Sequence, residues 1–299
     1  MGTDFGKGAR MKIWQKIVIV LSLLVCIGGA LAYDAFYTAP KRYSVRYETL
    51  SSIYIPAQLN DVNILFFSDL DYGVFMDEQR LSKLVDTINS LSPDVVIFGG
   101  DLYDRQAGEI TDDMKATVSS YLKKITAPLG KFSVLGEMDY LSQDRLTAVR
   151  QVLYDSDFEV LVNTSVNLRN GGSQAVSLIG LDSGLNGYTD IDAAYANVSR
   201  TAYAIAICHT PDTAAEVPAD ITKYFLAGHS HGGQVYYFFG AMYTPEMATQ
   251  YLRGKHSVNG KFTLDITNGV GTTEKDIRFL ANAEVVLYRL QHKTVSDAQ

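Results

Sequence analysis

The sequence predicts an α/β fold: a two-sheet sandwich flanked by helices and preceded by one N-terminal apolar helix. Three observations lead there. Five short runs, β-branched and aromatic enough to be buried strands, punctuate the chain: ILFFSDLD (Ile64–Asp71), VVIFGGDLYD (Val95–Asp104), FSVLGEMD (Phe132–Asp139), AIAICHTPD (Ala204–Asp212) and YFLAGHSHGGQ (Tyr224–Gln234). In the first half these runs alternate with helical periodicity, the signature of a parallel sheet with helical crossovers. From about Glu159 short strands separated by turn residues take over. A second sheet packed on the first closes the core.

The elements follow in order. Lys7, Arg10, Lys12 and Lys16 precede an apolar run from Ile17 to Ala32. At about 16 residues it falls short of the ~20 that span a bilayer comfortably, but Tyr33, Phe36 and Tyr37 extend it as an aromatic belt. Residues 1–16 are thus a basic flank and 17–37 a single membrane anchor with the bulk of the chain outside the cytoplasm. The alternative is a secreted protein, because Ala30-Leu31-Ala32 resembles a signal cleavage site. Residues 38–58, carrying Pro40 and Pro56, read as a spacer, 59–292 as the folded domain and 293–299 as a tail.

Within the domain, Asp77 caps a helix whose apolar face is Leu81, Leu84, Val85, Ile88 and Leu91, ended by Pro93. A second helix runs near Thr111–Ile125 and a third near Ser142–Tyr154. Later strands are expected at Ala175–Leu181, Ala204–Ile207, Lys261–Ile266 and Ala283–Leu290.

Composition sets bounds. The formal charge is −7, from 26 basic and 33 acidic residues, with no basic patch, so nucleic-acid binding is not expected. The two cysteines, Cys26 and Cys208, lie in unrelated segments and form no disulfide framework.

The chemistry sits where each strand ends. Every one of the five runs closes on Asp, Glu or His, at the C-terminal edge where open α/β sheets place their ligands. Asp69, Asp71, Asp101, Glu137, His209, His229 and His231 are candidate metal ligands of a kind suited to hard or borderline divalent cations. Seven groups are too many for one ion. They suit two ions about 3.5–4 Å apart sharing a carboxylate, the arrangement used for in-line displacement at phosphorus. Gly99-Gly100 and Gly232-Gly233 allow close backbone approach. Asp104 and Asp139 read as supports behind the ligands. His256 and His292 carry no motif.

The order of these motifs resembles the calcineurin-like metallophosphoesterases, in particular their membrane-anchored bacterial branch, over about Val62–Leu290. The family pattern D-x-H, G-D-x-x-D, G-N-H-D/E, a lone His and G-H-x-H is matched by Asp69-Leu70-Asp71, Gly100-Asp101-Leu102-Tyr103-Asp104, Gly136-Glu137-Met138-Asp139, His209 and Gly228-His229-Ser230-His231. Asn268-Gly269-Val270-Gly271, Arg278-Phe279 and Glu284 resemble that branch's tail. The resemblance implies a metallophosphoesterase-like αββα sandwich, with one ion held by Asp69, Asp71, Asp101 and His231. The other would be held by Asp101, Glu137, His209 and His229, with Asp101 bridging. Three positions depart from the pattern. Asp71 replaces a His and Glu137 an Asn. Met138 replaces the His that assists the leaving group.

The two new anions favour Mn²⁺, with Mg²⁺, Ca²⁺, Fe²⁺ and Zn²⁺ as alternatives. Met138 cannot donate a proton, so the catalytic acid is unassigned. The implied function is metal-dependent hydrolysis of a phosphate ester. The alternative is a degenerate relative that binds metal or a phosphorylated ligand without turnover. By location alone, lipid headgroups, cell-envelope precursors and nucleotides are the substrate classes.

Overall fold

The computed structural model describes residues 11–237 and 239–294. Lys7, Arg10 and residues 295–299 of the expected tail lie outside the described residues. The chain opens with helix α1 (Ile13–Tyr33) and strands β1 (Ser44–Ser52) and β2 (Asn63–Phe67). Helices α2 (Glu78–Ser90), α3 (Asp112–Lys123) and α4 (Gln143–Asp155) then alternate with β3 (Val95–Phe98), β4 (Lys131–Ser133) and β5 (Phe158–Val160). Next come β6 (Thr164–Leu168), β7 (Val176–Gly180), the short α5 (Ile191–Tyr195), β8 (Tyr203–Ile207) and β9 (Thr222–Ala227). A hairpin of β10 (Tyr236–Tyr237) and β11 (Gly240–Ala241) precedes β12 (Gly254–Val258), β13 (Phe262–Ile266) and β14 (Glu284–His292).

Two six-stranded sheets result, ordered β1-β14-β2-β3-β4-β5 and β12-β13-β9-β8-β7-β6. In the first, β2 to β5 run parallel and β14 is antiparallel to β2. In the second, β13, β9, β8 and β7 are parallel, with antiparallel strands at both edges. Successive side chains of a strand point to opposite faces, and the burial follows. Ile64 and Phe66 of β2 meet Leu178, Ile205 and Leu226 of the other sheet. Leu65 and Phe67 face outward onto Leu81, Leu84, Val118 and Val149 of the helices. The second sheet is covered less heavily on its outer face, by α5 and the turn around Ala214.

The helices start where capping chemistry predicts. The side chains of Asp77, Thr111 and Ser142 accept hydrogen bonds from the N–H groups of Arg80, Met114 and Arg145. Helix α1 is longer than the apolar run, beginning at Ile13. Helical structure continues to Lys41, with mean hydropathy 2.3 and no part of its most apolar window buried.

The spacer assigned to 38–58 needs correction. Residues 44–52 form β1, in parallel register with β14 from Ser44–Glu284 to Ser52–His292. Its half-polar face hides the strand signal, because what holds β1 is a charge. Arg46 forks onto buried Asp265 of the other sheet, with both N···O distances 2.9 Å. Tyr224 and Tyr288 donate to the same carboxylate. The folded body therefore reaches back to Ser44.

An ion pair this enclosed is costly to halve, by about 3–5 kcal/mol. Arg46→Ala is expected to destabilise the domain by about 3 kcal/mol, since two tyrosines remain to serve Asp265. Urea unfolding of the full chain checks this, and a loss below about 1 kcal/mol would reduce the pair to a surface contact.

Candidate metal centre

Six loops meet at one rim. Asp69 and Asp71 follow β2, Asp101 follows β3, Glu137 follows β4, His209 follows β8, and His229 and His231 follow β9. All seven side chains are buried. The sixth loop, Asn268–Gly271 after β13, packs Gly269 against the Asp69 side chain. Five of the seven residues, Asp69, Asp71, Asp101, His229 and His231, hold φ between 49° and 70°. That left-handed region costs a non-glycine residue of order 1–3 kcal/mol and clusters at functional sites; Asp and His are among the side chains found there most often. At Gly100, φ is 97° and an added Cβ would strike the backbone of Gly136, so the two loops touch only because both residues lack side chains.

Asp101, Glu137, His209 and His229 bring one ligand atom each to within 4.8 Å of one another. His209 Nε2 lies 3.1 Å from Asp101 Oδ2 and 3.0 Å from Glu137 Oε2. His229 Nδ1 lies 3.0 Å from Glu137 Oε1. Despite these distances, His209 Nε2, His229 Nδ1 and Glu137 Oε2 have no hydrogen-bond partner, nor do Asp71 Oδ2 and His231 Nδ1. Native interiors rarely leave so many buried polar atoms unsatisfied in one place. Ligands about 2.1 Å from one octahedral ion sit about 3 Å apart, so the spacing fits a shared cation. The other three groups are looser: His231 Nε2 is 3.6 Å from Asp69 Oδ1 and 3.5 Å from Asp71 Oδ2.

Two histidines are oriented from behind. His209 Nδ1 sits 2.7 Å from the Gly99 carbonyl and His229 Nε2 2.7 Å from that of Glu246. A proton on each of those nitrogens aims the other nitrogen, unprotonated, into the cluster, the usual second contact of a metal-bound imidazole. Asp139 braces the floor, accepting from the N–H groups of Asp101, Leu102 and Gly136.

The electrostatics express crowded negative charge. Burial, then the Asp69 and Asp101 charges, push Asp71 well above the usual carboxylate range. Burial, then Glu137, raise Asp101 to about 6. Burial opposes charge on His209, but Asp101 and Glu137 outweigh it and raise its pKa. Burial lowers His231 to about 4, so it is neutral at pH 7.

The contacts of three arginines escaped the sequence reading, which named Arg278 only for its resemblance to the branch's tail, because an arginine normally reads as surface. Buried Arg145 donates to the backbone carbonyls of Tyr103, Asp104 and Met138, tying two motif loops together. Exposed Arg105 lies with Nε 3.3 Å from Met138 Sδ. Arg278 is fully buried and donates to the carbonyls of His231, Asn268, Gly269, Gly271 and Ala281. Burial lowers its pKa only to about 10, so it stays charged. Asp104 keeps Oδ2 buried and without a partner.

With this geometry in view, the comparisons give the class. A family model described as calcineurin-like phosphoesterase matches residues 62–233. The chain belongs to the calcineurin-like phosphoesterase family and is a hydrolase of phosphoester bonds. It is 28% identical over 266 residues to the uncharacterized metallophosphoesterase YkuE of Bacillus subtilis, covering 88% of this chain and 91% of that protein. It is 27% identical over 292 residues to the uncharacterized metallophosphoesterase Cj0846 of Campylobacter jejuni, covering 96% of this chain and 74% of the relative. It is 28% identical over 228 residues to UDP-2,3-diacylglucosamine pyrophosphatase LpxG of Chlamydia muridarum, covering 60% and 66%.

Arg278 joins five carbonyls at the site's edge, and each buried acceptor stripped of its donor costs about 1–3 kcal/mol. Arg278→Ala is expected to lower the unfolding free energy by about 3–5 kcal/mol, measured by urea titration. A variant within about 1 kcal/mol of the parent would mean that water replaces the guanidinium without loss.

Proposed function

We propose that the chain is a membrane-tethered phosphoesterase that works with two divalent ions. The carrying observation is the convergence of Asp101, Glu137, His209 and His229 within 4.8 Å, with Asp69, Asp71 and His231 alongside. The assignment supported by this grouping gives one ion to Asp101, Glu137, His209 and His229. The second goes to Asp69, Asp71, His231 and Asp101, which bridges. Two such ions, when bound, neutralise a phosphate ester and lower the pKa of a water held between them.

The remaining work belongs to the chain. Gly99 and Glu246 hold two imidazoles in their ligating orientation through backbone carbonyls. Asp71 and Glu137, anions in place of neutral groups, favour hard ions, Mn²⁺ first. Met138 offers no proton. Arg105, resting on the Met138 sulfur, supplies a fixed positive charge where a departing oxygen would emerge, without giving up a proton.

We assign α1 to the membrane as a single anchor with the domain on the outer side; its length and hydropathy support the first statement and the Lys-rich flank the second. The LpxG relative, named for action on UDP-2,3-diacylglucosamine, supports lipid headgroups among the substrate classes, with envelope precursors and nucleotides beside them.

Two experiments test this reading. Asp101→Ala is expected to abolish binding of both ions, measured by Mn²⁺ titration and elemental analysis of the purified chain. Two tightly retained metals would remove Asp101 as the bridge.

The other is a leaving-group series. Without a general acid, alkyl esters lose about 10²–10⁴-fold in rate while aryl esters lose little. Met138→His is expected to restore that factor on alkyl esters only, with Asp104, whose Oδ2 is unpartnered, orienting the new ring as the G-D-x-x-D resemblance implies. Equal gains across the series would show that residue 138 is not at the leaving group. Bound metal without turnover in either protein would favour the binding-only reading.

A further inference from the structure

The hairpin that follows His231 ends in apolar side chains with nothing on them. Phe239 is 95% exposed, Met242 71%, Tyr243 58%, and Leu280 on the adjoining segment 58%. A soluble surface rarely gathers large apolar side chains so closely without a partner. The patch lies beside the metal centre: His231, Val235, Met242, Tyr243 and Ile277 line a groove of about 360 Å³ that runs from the site to the hairpin.

What covers this patch follows from its backbone connections. Arg278 N–H donates to the carbonyl of Ala35, two residues beyond α1. The next residue, Phe279, exchanges hydrogen bonds with the hairpin: its N–H donates to Gln234 and its carbonyl accepts from Tyr236. Arg253 then bonds the Leu280 carbonyl and lies 4.4 Å over the Tyr236 ring. The hairpin is thus fastened, through three consecutive residues, to the end of the helix assigned to the bilayer. Phe239 stands in the turn beyond the Tyr237–Gly240 pair, carried from Val235 by two strand steps of about 3.3 Å each and then by its own side chain. Apolar faces of interfacial segments sink about 5–10 Å into the headgroup boundary, within that reach. Basic groups accompany these segments: Lys41 and Arg42 follow α1, Arg42 being paired with Asp34, Arg253 lies over Tyr236, and Lys275 lines the groove beside Glu274, a basic content suited to membrane interfaces rich in anionic lipid.

We propose that the β10–β11 hairpin, with Leu280, is a membrane lip: it seats in the bilayer that holds α1 and feeds the metal centre a phosphoester lipid from that surface, the acyl end lying along the groove. The proposal rests on the functional reading above for the anchor and the chemistry. The lip fixes which substrates reach the site: amphiphiles presented by the membrane ahead of esters free in water.

The test uses the full chain reconstituted in vesicles of phosphatidylcholine with a minor share of phosphatidylglycerol. Phe239→Trp is placed in a Trp14→Phe background, which leaves no other tryptophan. Lipids brominated near the glycerol end should quench its emission strongly, and the emission should be blue-shifted from that of a water-exposed indole. Emission at the aqueous position, unquenched by any brominated lipid, overturns the lip. If the patch instead buries against a second copy of the chain or another protein, the blue shift comes without lipid quenching, and the proposal also falls.

Turnover gives the second arm. Phe239→Ser with Leu280→Ser should lower hydrolysis of a vesicle-borne phosphatidyl ester with an aryl leaving group about tenfold or more, as membrane burial of two large side chains is lost. Hydrolysis of a water-soluble aryl phosphate by the same protein should not change. Equal loss on both substrates, or none on either, overturns the substrate claim. Absence of aryl phosphate turnover by the parent chain strikes the phosphoesterase reading instead, while quenching still decides insertion.

Discussion

The structure is organised by one constraint: four carboxylates must share a nearly dry pocket with three imidazoles. Burial first, and then repulsion among the unneutralised carboxylates, makes Asp71 and Asp101 resist ionisation. The fold accepts the cost because the seven groups arrive on five loops at a common edge of two sheets, and those loops are braced from behind. Asp139 holds three amides, Gly99 and Glu246 hold two rings, and Arg278 gathers five carbonyls. A left-handed backbone at five of the ligating positions adds to that cost and directs the side chains inward from tight corners. Such strain persists only where the surroundings over-determine it.

Substitutions within the motif set change the balance of that pocket without emptying it. Asp71 and Glu137 add negative charge where the family pattern carries neutral side chains, making the cluster more demanding of a cation. Met138 offers no proton to a neighbour, and Asp104 separately retains a buried oxygen with nothing to bind.

Much of this was legible in the residues. Strand ends carrying Asp, Glu and His mark the rim, and Asp77, Thr111 and Ser142 mark the helix starts within a residue of their observed positions. Local chemistry writes such features: caps, periodicity, apolar runs. What escaped depends on distant partners. Strand β1 looked like a spacer because Arg46 gains its meaning from Asp265, 219 residues away. Arg145 went unmarked, and Arg278 was marked only as part of the tail resemblance, because only the folded chain supplies their carbonyls. The β10–β11 hairpin has two-residue strands, too short for any alternation to register.

The position of β14 carries a kinetic consequence. It lies between β1 and β2, pairing along nine residues with the former, so the earliest-made strands of the first sheet cannot join until the last one has been made. A chain emerging from its N-terminus can assemble β2 to β5 with their helices from nearby contacts. Closing the sheet must wait for a partner some 240 residues later. Contacts of such separation slow folding. Meanwhile β1 and β2 present open edges, the feature that invites mispairing with other chains. Under the membrane assignment proposed for α1, that helix supplies a remedy: it would confine the waiting strands to a surface and keep the returning C-terminal strand close to them.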